Sequence, residues 1–180
     1  MILRSSRRHG YVVAALICAA AWSRLVPHWP NFTAVPAMAM FSGMVVGRRW
    51  LAFAAPLLAM LVSDLALAAC VYGAAAFTMM PAVYAGIATT TWIGTRAPRS
   101  VTGVLIVGVA ASGAFFVLVN FYVWLVSSLY PPTWSGLLAC YVAALPFAAN
   151  MLASTLVYGL ALFGLWSLAA RRAPAETSAA

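Results

Sequence analysis

The side chains that could do chemistry in this sequence are few, and the two most conspicuous are of opposite charge. Arg24 ends the first apolar segment, and Asp64 lies within a later one and is one of only two acidic residues in the chain. A charged group inside a bilayer is costly unless it is paired or faces water. We therefore expect Arg24 and Asp64 to pair, either as a structural lock between two helices or as the border of a ligand cavity.

A proline-rich turn lies next to Arg24 and carries further polar groups. Residues 24–43 read RLVPHWPNFTAVPAMAMFSG, with prolines that preclude one continuous helix, because proline lacks an N–H and disfavours helical geometry in the residue before it. The turn presents His28, Asn31 and Phe32. His28 is either a solvated surface histidine or a group that donates to a ligand or binds a metal.

Other candidate residues are amides and aromatics near the ends of apolar segments. The aromatics would ordinarily be anchors at the membrane–water interface, but their grouping on one side also suits a planar ligand. The full set of predicted substrate-binding residues is Arg24, His28, Asn31, Phe32, Asp64, Cys70, Tyr72, Tyr84, Asn120, Trp124, Tyr130 and Asn150.

Cys70 is the predicted metal ligand. It lies at the end of an apolar segment, six residues after Asp64, where a thiol could ligate a soft metal centre such as the cobalt of a corrinoid. The alternative is that all three cysteines, an odd number, are small buried hydrophobic residues, which is no disulfide framework.

The composition is that of an integral membrane protein. Hydrophobic residues make up 66% of the 180 residues and charged ones 7%, and the mean hydropathy is +1.00. This length holds about six spans of roughly 20 residues and leaves no room for a soluble catalytic or nucleotide-binding domain. The net charge of +8 comes from arginines sorted into short loops and ends, which indicates topology and not nucleic-acid binding.

The apolar segments predict an all-α fold of six transmembrane helices in one domain, residues 1–172, followed by a disordered tail, residues 173–180. The predicted spans are 11–26, 34–47, 51–71, 74–94, 101–127 and 148–170. The segment 34–47 is short for a span, and 137–145, too short to cross and followed by Pro146, is predicted to be an interfacial or re-entrant helix.

The arginines predict the orientation of these spans. They occur at the N-terminus, in alternate loops and at the C-terminus: Arg4, Arg7, Arg8, Arg48, Arg49, Arg96, Arg99, Arg171 and Arg172. The positive-inside rule places these groups and both termini in the cytoplasm. The remaining connections, which contain His28, Gly73 and Tyr130, are then outside.

Several catalytic motifs are missing from the sequence. It has no Walker motif, no HExxH, no Gly-x-Ser-x-Gly and no pair of intramembrane acids. We therefore do not expect an enzyme. Two alternatives remain open: a small intramembrane enzyme that acts on a lipid or isoprenoid through Asp64, Arg24 and His28, and a structural subunit of a membrane complex.

Several motifs together resemble a family of small bacterial inner-membrane proteins that are similar to the substrate-binding S-components of energy-coupling factor (ECF) vitamin transporters. They are the turn motif at 25–43, Ser63-Asp64, FTM at 77–79, NFYVW at 120–124, Tyr130-Pro131, GLLACYVAALPF at 136–147, Asn150, and Tyr158 near LFG at 162–164. One departure is Ser154-Thr155, where the family pattern often has Gly-Asp.

The resemblance implies a six-helix fold with an outward-facing pocket that captures a vitamin-like molecule. It implies that small residues on the first helix, Ala15 and Ala19, dock a transmembrane coupling subunit that works with ATPases. The chain also looks like the solitary vitamin B12 transporter of this kind, in which a cysteine contacts cobalt, so that cobalamin would be a transported ligand and Cys70 its ligating residue. The implied location is the bacterial cytoplasmic membrane.

Overall fold

The computed structural model describes residues 11, 14–15, 17–19, 22–25, 29–73 and 77–171, with the side chains of Leu25 and Tyr72 left out. The N-terminal arginines, His28 and the 173–180 tail therefore lie outside the described residues. The first described residues, between 11 and 22, are helical and lead to a 3₁₀ turn at Ser23–Leu25. The helices that follow are α1 (Val35–Val45), α2 (Arg49–Leu67), α3 (Met80–Gly94), α4 (Val101–Val126) and α5 (Trp134–Arg171).

The described chain is all-helical, and three of its helical segments are long and apolar enough to cross a membrane: Arg49–Val71, Val101–Val126 and Trp134–Arg171. The first of these continues α2 into a π-helical segment, Ala68–Tyr72. Helix α3 begins at Met80, later than the predicted start at 74, and has 15 residues. Pro81 fits this start, because the first turn of a helix does not need its missing N–H.

Helix α1 lies at the centre of the bundle. It has 11 residues, about 16 Å, and every residue from Ala34 to Met44 is buried. Such a helix is apolar all round because it contacts protein on all sides. The short segment predicted at 34–47 is thus an internal helix, too short to cross the roughly 30 Å hydrocarbon core.

Two glycines allow α1 and α3 to cross with their backbones in contact. A Cβ atom on Gly43 would overlap the carbonyl oxygen of Thr91, and one on Gly94 would lie 2.5 Å from the carbonyl oxygen of Met40. Small residues at such crossings permit the close approach of helices in membrane proteins. The crossing fixes the end of α1 against the end of α3. These are the helix ends that the arginines predict to be cytoplasmic.

The prediction of a separate interfacial helix at 137–145 is wrong, because α5 is one helix of 38 residues that continues through Pro146. Proline removes one backbone hydrogen bond from a helix, and neighbouring helices commonly make this tolerable in membrane proteins. The sequence argument treated Pro146 as a break, whereas α4 packs along both sides of this position: Tyr141 donates to the carbonyl of Val117, and Leu156 contacts Gly108.

Three of the arginine groups lie at one end of the molecule. Nε of Arg99 donates to the carbonyl oxygen of Met44 at 2.7 Å, which joins the loop after α3 to the end of α1 near Arg48 and Arg49. Trp166, near the end of α5, packs against the same cluster as Val45 and Ala97. Arg171 follows about one turn later, so Arg48, Arg49, Arg96, Arg99 and Arg171 lie at the same end of the described chain.

Candidate functional site

The expected pairing of Arg24 and Asp64 is present. Nη1 of Arg24 lies 2.7 Å from Oδ1 of Asp64, and the side chains are 17% and 9% exposed. Nη1 also contacts Oγ of Ser63 at 2.6 Å and Sδ of Met60 at 3.2 Å. The guanidinium thus binds one face of α2 through Met60, Ser63 and Asp64, which holds the segment before the turn against that helix.

A third element completes the cluster. The hydroxyl of Tyr84, on α3, donates to Oδ2 of Asp64 at 3.0 Å. Each carboxylate oxygen therefore has a partner, and Ser63 in turn donates to the carbonyl of Met60. This geometry suits a group that positions helices. A role for Asp64 as a general base would require one of these contacts to break.

A small cavity lies where the proline-rich turn meets α4 and α5. Its volume is about 80 Å³, and its lining residues are Asn31, Phe115, Phe116, Val119, Asn120, Ala144, Phe147, Ala148 and Met151. Two amides lie in a wall that is otherwise apolar and aromatic. The α4 and α5 residues in this list lie in the halves of those helices that lead to the α4–α5 connection, away from the arginines.

The two amides differ in how they are held. Nδ2 of Asn120 donates to the carbonyl of Phe116 at 2.8 Å, and no hydrogen bond to its side-chain oxygen is found within the described residues. Asn31 has a φ of 59°, a conformation that asparagine adopts more readily than most residues. Its side chain likewise makes no hydrogen bond to another described residue, so both amides retain hydrogen-bonding capacity at the cavity.

The turn that carries Asn31 is held by contacts to α5. Nδ2 of Asn150 donates to the carbonyl oxygen of Pro30 at 3.1 Å. The ring of Phe32 packs on Tyr158, with centroids 5.9 Å apart, and on Trp29 at 6.0 Å. The predicted site residues Asn31, Phe32 and Asn150 thus come together, with Asn150 supporting the turn instead of lining the cavity.

The turn is recessed relative to the ends of α4 and α5. Roughly 24 Å of helix, at about 1.5 Å per residue, separates Asn150 from the start of α5 at Trp134. The outer part of α5 packs on α4, where Sγ of Cys140 contacts the carbonyl of Asn120. Because α1 begins only at Val35, no part of α1 fills the space beside these outer turns.

The remaining predicted site residues are not among the residues that line this cavity. Nε1 of Trp124 donates to the carbonyl of Pro131, and Tyr130 is half-buried in the same connection. Cys70 is exposed in the π-helical segment. Tyr84 binds Asp64, and His28 and the Tyr72 side chain are outside the described residues.

The sequence reasoning missed most of the cavity wall. Ala144, Phe147, Ala148 and Met151 lie three or four residues apart and therefore share one face of α5. This spacing can be read from the sequence. The helix break predicted at Pro146, however, placed the four residues in different segments, so that their shared face was not recognised. Phe115, Phe116 and Val119 are apolar residues of a long apolar helix, and nothing in their types distinguishes them.

Two further predictions concern partners and metals. Ala15 and Ala19 are both exposed, on the helical stretch before Arg24. Within the described parts of the chain, no group of three or more His, Cys, Asp or Glu side chains could hold a metal ion.

Comparisons with known proteins give a family and no activity. Nothing among curated proteins or solved structures matches the chain. The sequence pattern of one family, described as "Family of unknown function (DUF6580)", matches residues 4–176, which is nearly the whole length and includes every residue of the cavity and of the Arg24–Asp64 cluster. The chain therefore belongs to the DUF6580 family.

Proposed function

We propose that this protein is a membrane-embedded substrate-binding protein, similar to ECF S-components, that captures a vitamin-like small molecule from outside for uptake. The observation that carries the proposal is that Asn31 and Asn120 line one cavity in the half of the bundle away from the arginines. By the positive-inside rule that half faces away from the cytoplasm. A solute arriving from outside would meet this cavity.

The chemistry of the wall suits a partly polar, partly flat solute. Phe115, Phe116 and Phe147 offer apolar and aromatic surface, and the amides of Asn31 and Asn120 can each donate and accept hydrogen bonds. None of the described residues that line the cavity carries a charge. We therefore expect a ligand whose bound part is neutral.

The size of the cavity implies movement on binding. Its volume of about 80 Å³ is below the roughly 300–1,000 Å³ of sites that enclose drug-sized ligands. The turn with Asn31 is held on α5 mainly by the Asn150–Pro30 hydrogen bond and the Phe32–Tyr158 contact. Release of these contacts would widen the cavity toward the outer turns of α4 and α5. This is the movement that cobalamin, the leading ligand in our proposal, would require.

Uptake would follow from reorientation of the helical body, alone or with a coupling subunit. In the proposed arrangement six segments place both termini in the cytoplasm of a bacterial inner membrane. The sequence contains no nucleotide-binding motif, so energy from ATP would come from a partner. The exposed Ala15 and Ala19 support a docking role for the first helix, since small residues let a second helix approach closely.

The test is ligand-dependent thermal unfolding of the purified protein across a vitamin panel that includes cobalamin. A ligand that binds the folded state raises the melting temperature. Asn120→Ala and Asn31→Gly should each abolish most of the shift, and glycine keeps the positive φ of residue 31. Tyr122→Phe is the matched control. Tyr122 lies two residues after Asn120 on the same helix, and the hydroxyl that the substitution removes contacts the carbonyl of Thr78, outside the cavity. No shift with any compound, or an equal shift in all variants, would contradict the proposal.

Cobalamin and Cys70 have a separate spectroscopic test. A bound corrinoid colours the purified protein, and cobalt ligation by the thiol should change the visible spectrum. Cys70→Ala should then lose this change, whereas Cys18→Ala, which removes another exposed thiol, should keep it. Binding with an unchanged spectrum in Cys70→Ala would remove Cys70 from the site while leaving the Asn31–Asn120 cavity in place.

A further inference from the structure

The end of the molecule opposite the cavity carries an unusual concentration of unpaired positive charge. Arg48, Arg49, Arg96 and Arg99 form what we call the arginine surface, and all of them are exposed. The sole carboxylate among the described residues, Asp64, is bound to Arg24. No member of the arginine surface therefore has an acidic partner within the described chain.

Backbone contacts gather these arginines from two loops onto one surface. Arg99 donates through Nε to the carbonyl of Met44, four residues before Arg48. The crossing of Gly43 with Gly94 brings the start of the α3–α4 loop beside the end of α1. The like charges of the two loops repel each other, and an anion bound over both loops would reduce this repulsion.

Two of the arginines are held by contacts with the described chain that leave some of their nitrogens without a hydrogen-bond partner in it. Cζ of Arg96 lies 3.5 Å from the centroid of the Trp92 ring, and its Nη1 donates to the carbonyl of Trp92 at 3.1 Å. Arg99 uses only Nε, so its terminal nitrogens have no hydrogen-bond partner in the described part of the chain. Guanidinium groups fixed in this way bind phosphate oxygens with little further loss of side-chain freedom.

The surroundings of the arginine surface are those of a lipid interface. Trp50 and Trp92 flank it and are 65% and 51% exposed. Exposed tryptophans are typical of the headgroup level of a bilayer. Beyond them, the outward side chains of α2, such as Leu58 and Val62, are apolar and exposed. A bound molecule with a phosphate at the arginines and acyl chains along α2 would satisfy both surfaces.

We propose that the arginine surface is a binding site for the headgroup of an anionic phospholipid. The site is independent of the solute cavity in the other half of the bundle. Its chemistry requires phosphate oxygens held by positively charged side chains from both loops, and acyl chains beside Trp50 and Trp92. Arg171, which lies at the same end but on neither loop, is not part of it.

The experiment measures thermal unfolding of the purified protein in detergent with added phosphatidylglycerol, with the same mole fraction of phosphatidylcholine, and with inorganic phosphate. Phosphatidylglycerol should raise the melting temperature more than phosphatidylcholine, and high salt should reduce the difference. An equal effect of the two lipids would overturn the proposal. If inorganic phosphate alone gives the full shift in melting temperature, the lipid proposal is also overturned, because the site would then bind free anions.

Matched variants separate a defined site from general positive charge. Arg48→Gln/Arg49→Gln should weaken phosphatidylglycerol binding roughly thirtyfold, given the usual contribution of an arginine near an anionic surface. Arg171→Gln/Arg172→Gln removes the same charge from outside both loops and should leave binding within about threefold of the parent. Equal loss in both pairs would contradict the site. If the first pair melts early in phosphatidylcholine, Arg48→Lys/Arg49→Lys should restore folding and most of the lipid response, and failure of a folded lysine pair to respond would contradict the proposal.

Discussion

Nη1 of Arg24 lies 2.7 Å from Oδ1 of Asp64, in the one ion pair that the described chain contains. With Tyr84 on the second carboxylate oxygen, the pair joins the segment before the proline-rich turn to α2 and α3. The turn leaves this point and reaches α5 at Asn150. The position of Asn31 at the cavity therefore depends on contacts at both ends of the turn.

Asp64→Asn should destabilise the protein strongly, because it leaves the charge of Arg24 in apolar surroundings without its counter-ion. Loss of one partner of a buried pair typically costs about 3–5 kcal/mol. The measurement is unfolding in detergent, followed by circular dichroism. Tyr84→Phe removes one hydrogen bond from the same carboxylate and should cost only about 1 kcal/mol.

Arg24→Leu and Asp64→Leu are the single variants of a thermodynamic cycle that is completed by the double variant Arg24→Leu/Asp64→Leu. Because both charges are removed together, it should be at least as stable as Asp64→Asn, and a large coupling energy should result. If Asp64→Asn instead keeps the parent stability, the ion pair does not position the turn.

Gly43→Ala and Gly94→Ala should each prevent α1 and α3 from packing at their crossing. The added methyl group would meet the backbone of the other helix, which cannot move aside as a flexible side chain can. We expect a loss of about 1–3 kcal/mol or more. Gly113→Ala is the control: nothing lies within 4 Å of its added Cβ, and removing a helical glycine should stabilise by about 1 kcal/mol. Equal effects at all three positions would contradict the crossing.

Asn150→Ala should loosen the turn at residues 29–34. The substitution removes the hydrogen bond to the carbonyl of Pro30. The backbone N–H of Phe32, which donates to the carbonyl of Trp29, should then exchange faster with deuterium. Tyr141→Phe removes another side-chain to backbone hydrogen bond, from the same helix to α4, and should leave exchange at the turn unchanged. Unchanged exchange in Asn150→Ala would show that the turn is held by its aromatic contacts alone.

Single cysteines should report the two sides of the membrane. The two cysteines, Ser128→Cys and Gly47→Cys, are introduced into a variant that lacks Cys18, Cys70 and Cys140. Ser128 lies in the α4–α5 connection, and Gly47 lies beside the arginine surface. Both positions are exposed. A membrane-impermeant thiol reagent should label Ser128→Cys in intact cells and Gly47→Cys only after permeabilisation. Labelling of both from the same side would refute the predicted orientation.

Much of this protein was predictable because some properties depend on residue type and order alone. Apolar composition indicates a membrane protein wherever the helices pack. The arginines sort by loop, and Asp64 and Arg24 had to meet because neither has another strong counter-charge at a comparable place in the chain. The prolines of residues 27–36 likewise predicted a turn from local backbone geometry.

The tertiary structure alone decided which faces meet. Pro146 does not end α5, because contacts from α4 on both sides support a helix through it, and such support is not written in the local sequence. Helix α1 is internal because α2, α3, α4 and α5 surround it, whereas its apolar sequence fits lipid contact equally well. The cavity wall follows from the same cause: Phe116 and Ala148 become neighbours only through the packing of α4 on α5, and hydropathy does not distinguish an apolar side chain that faces lipid from one that faces a ligand.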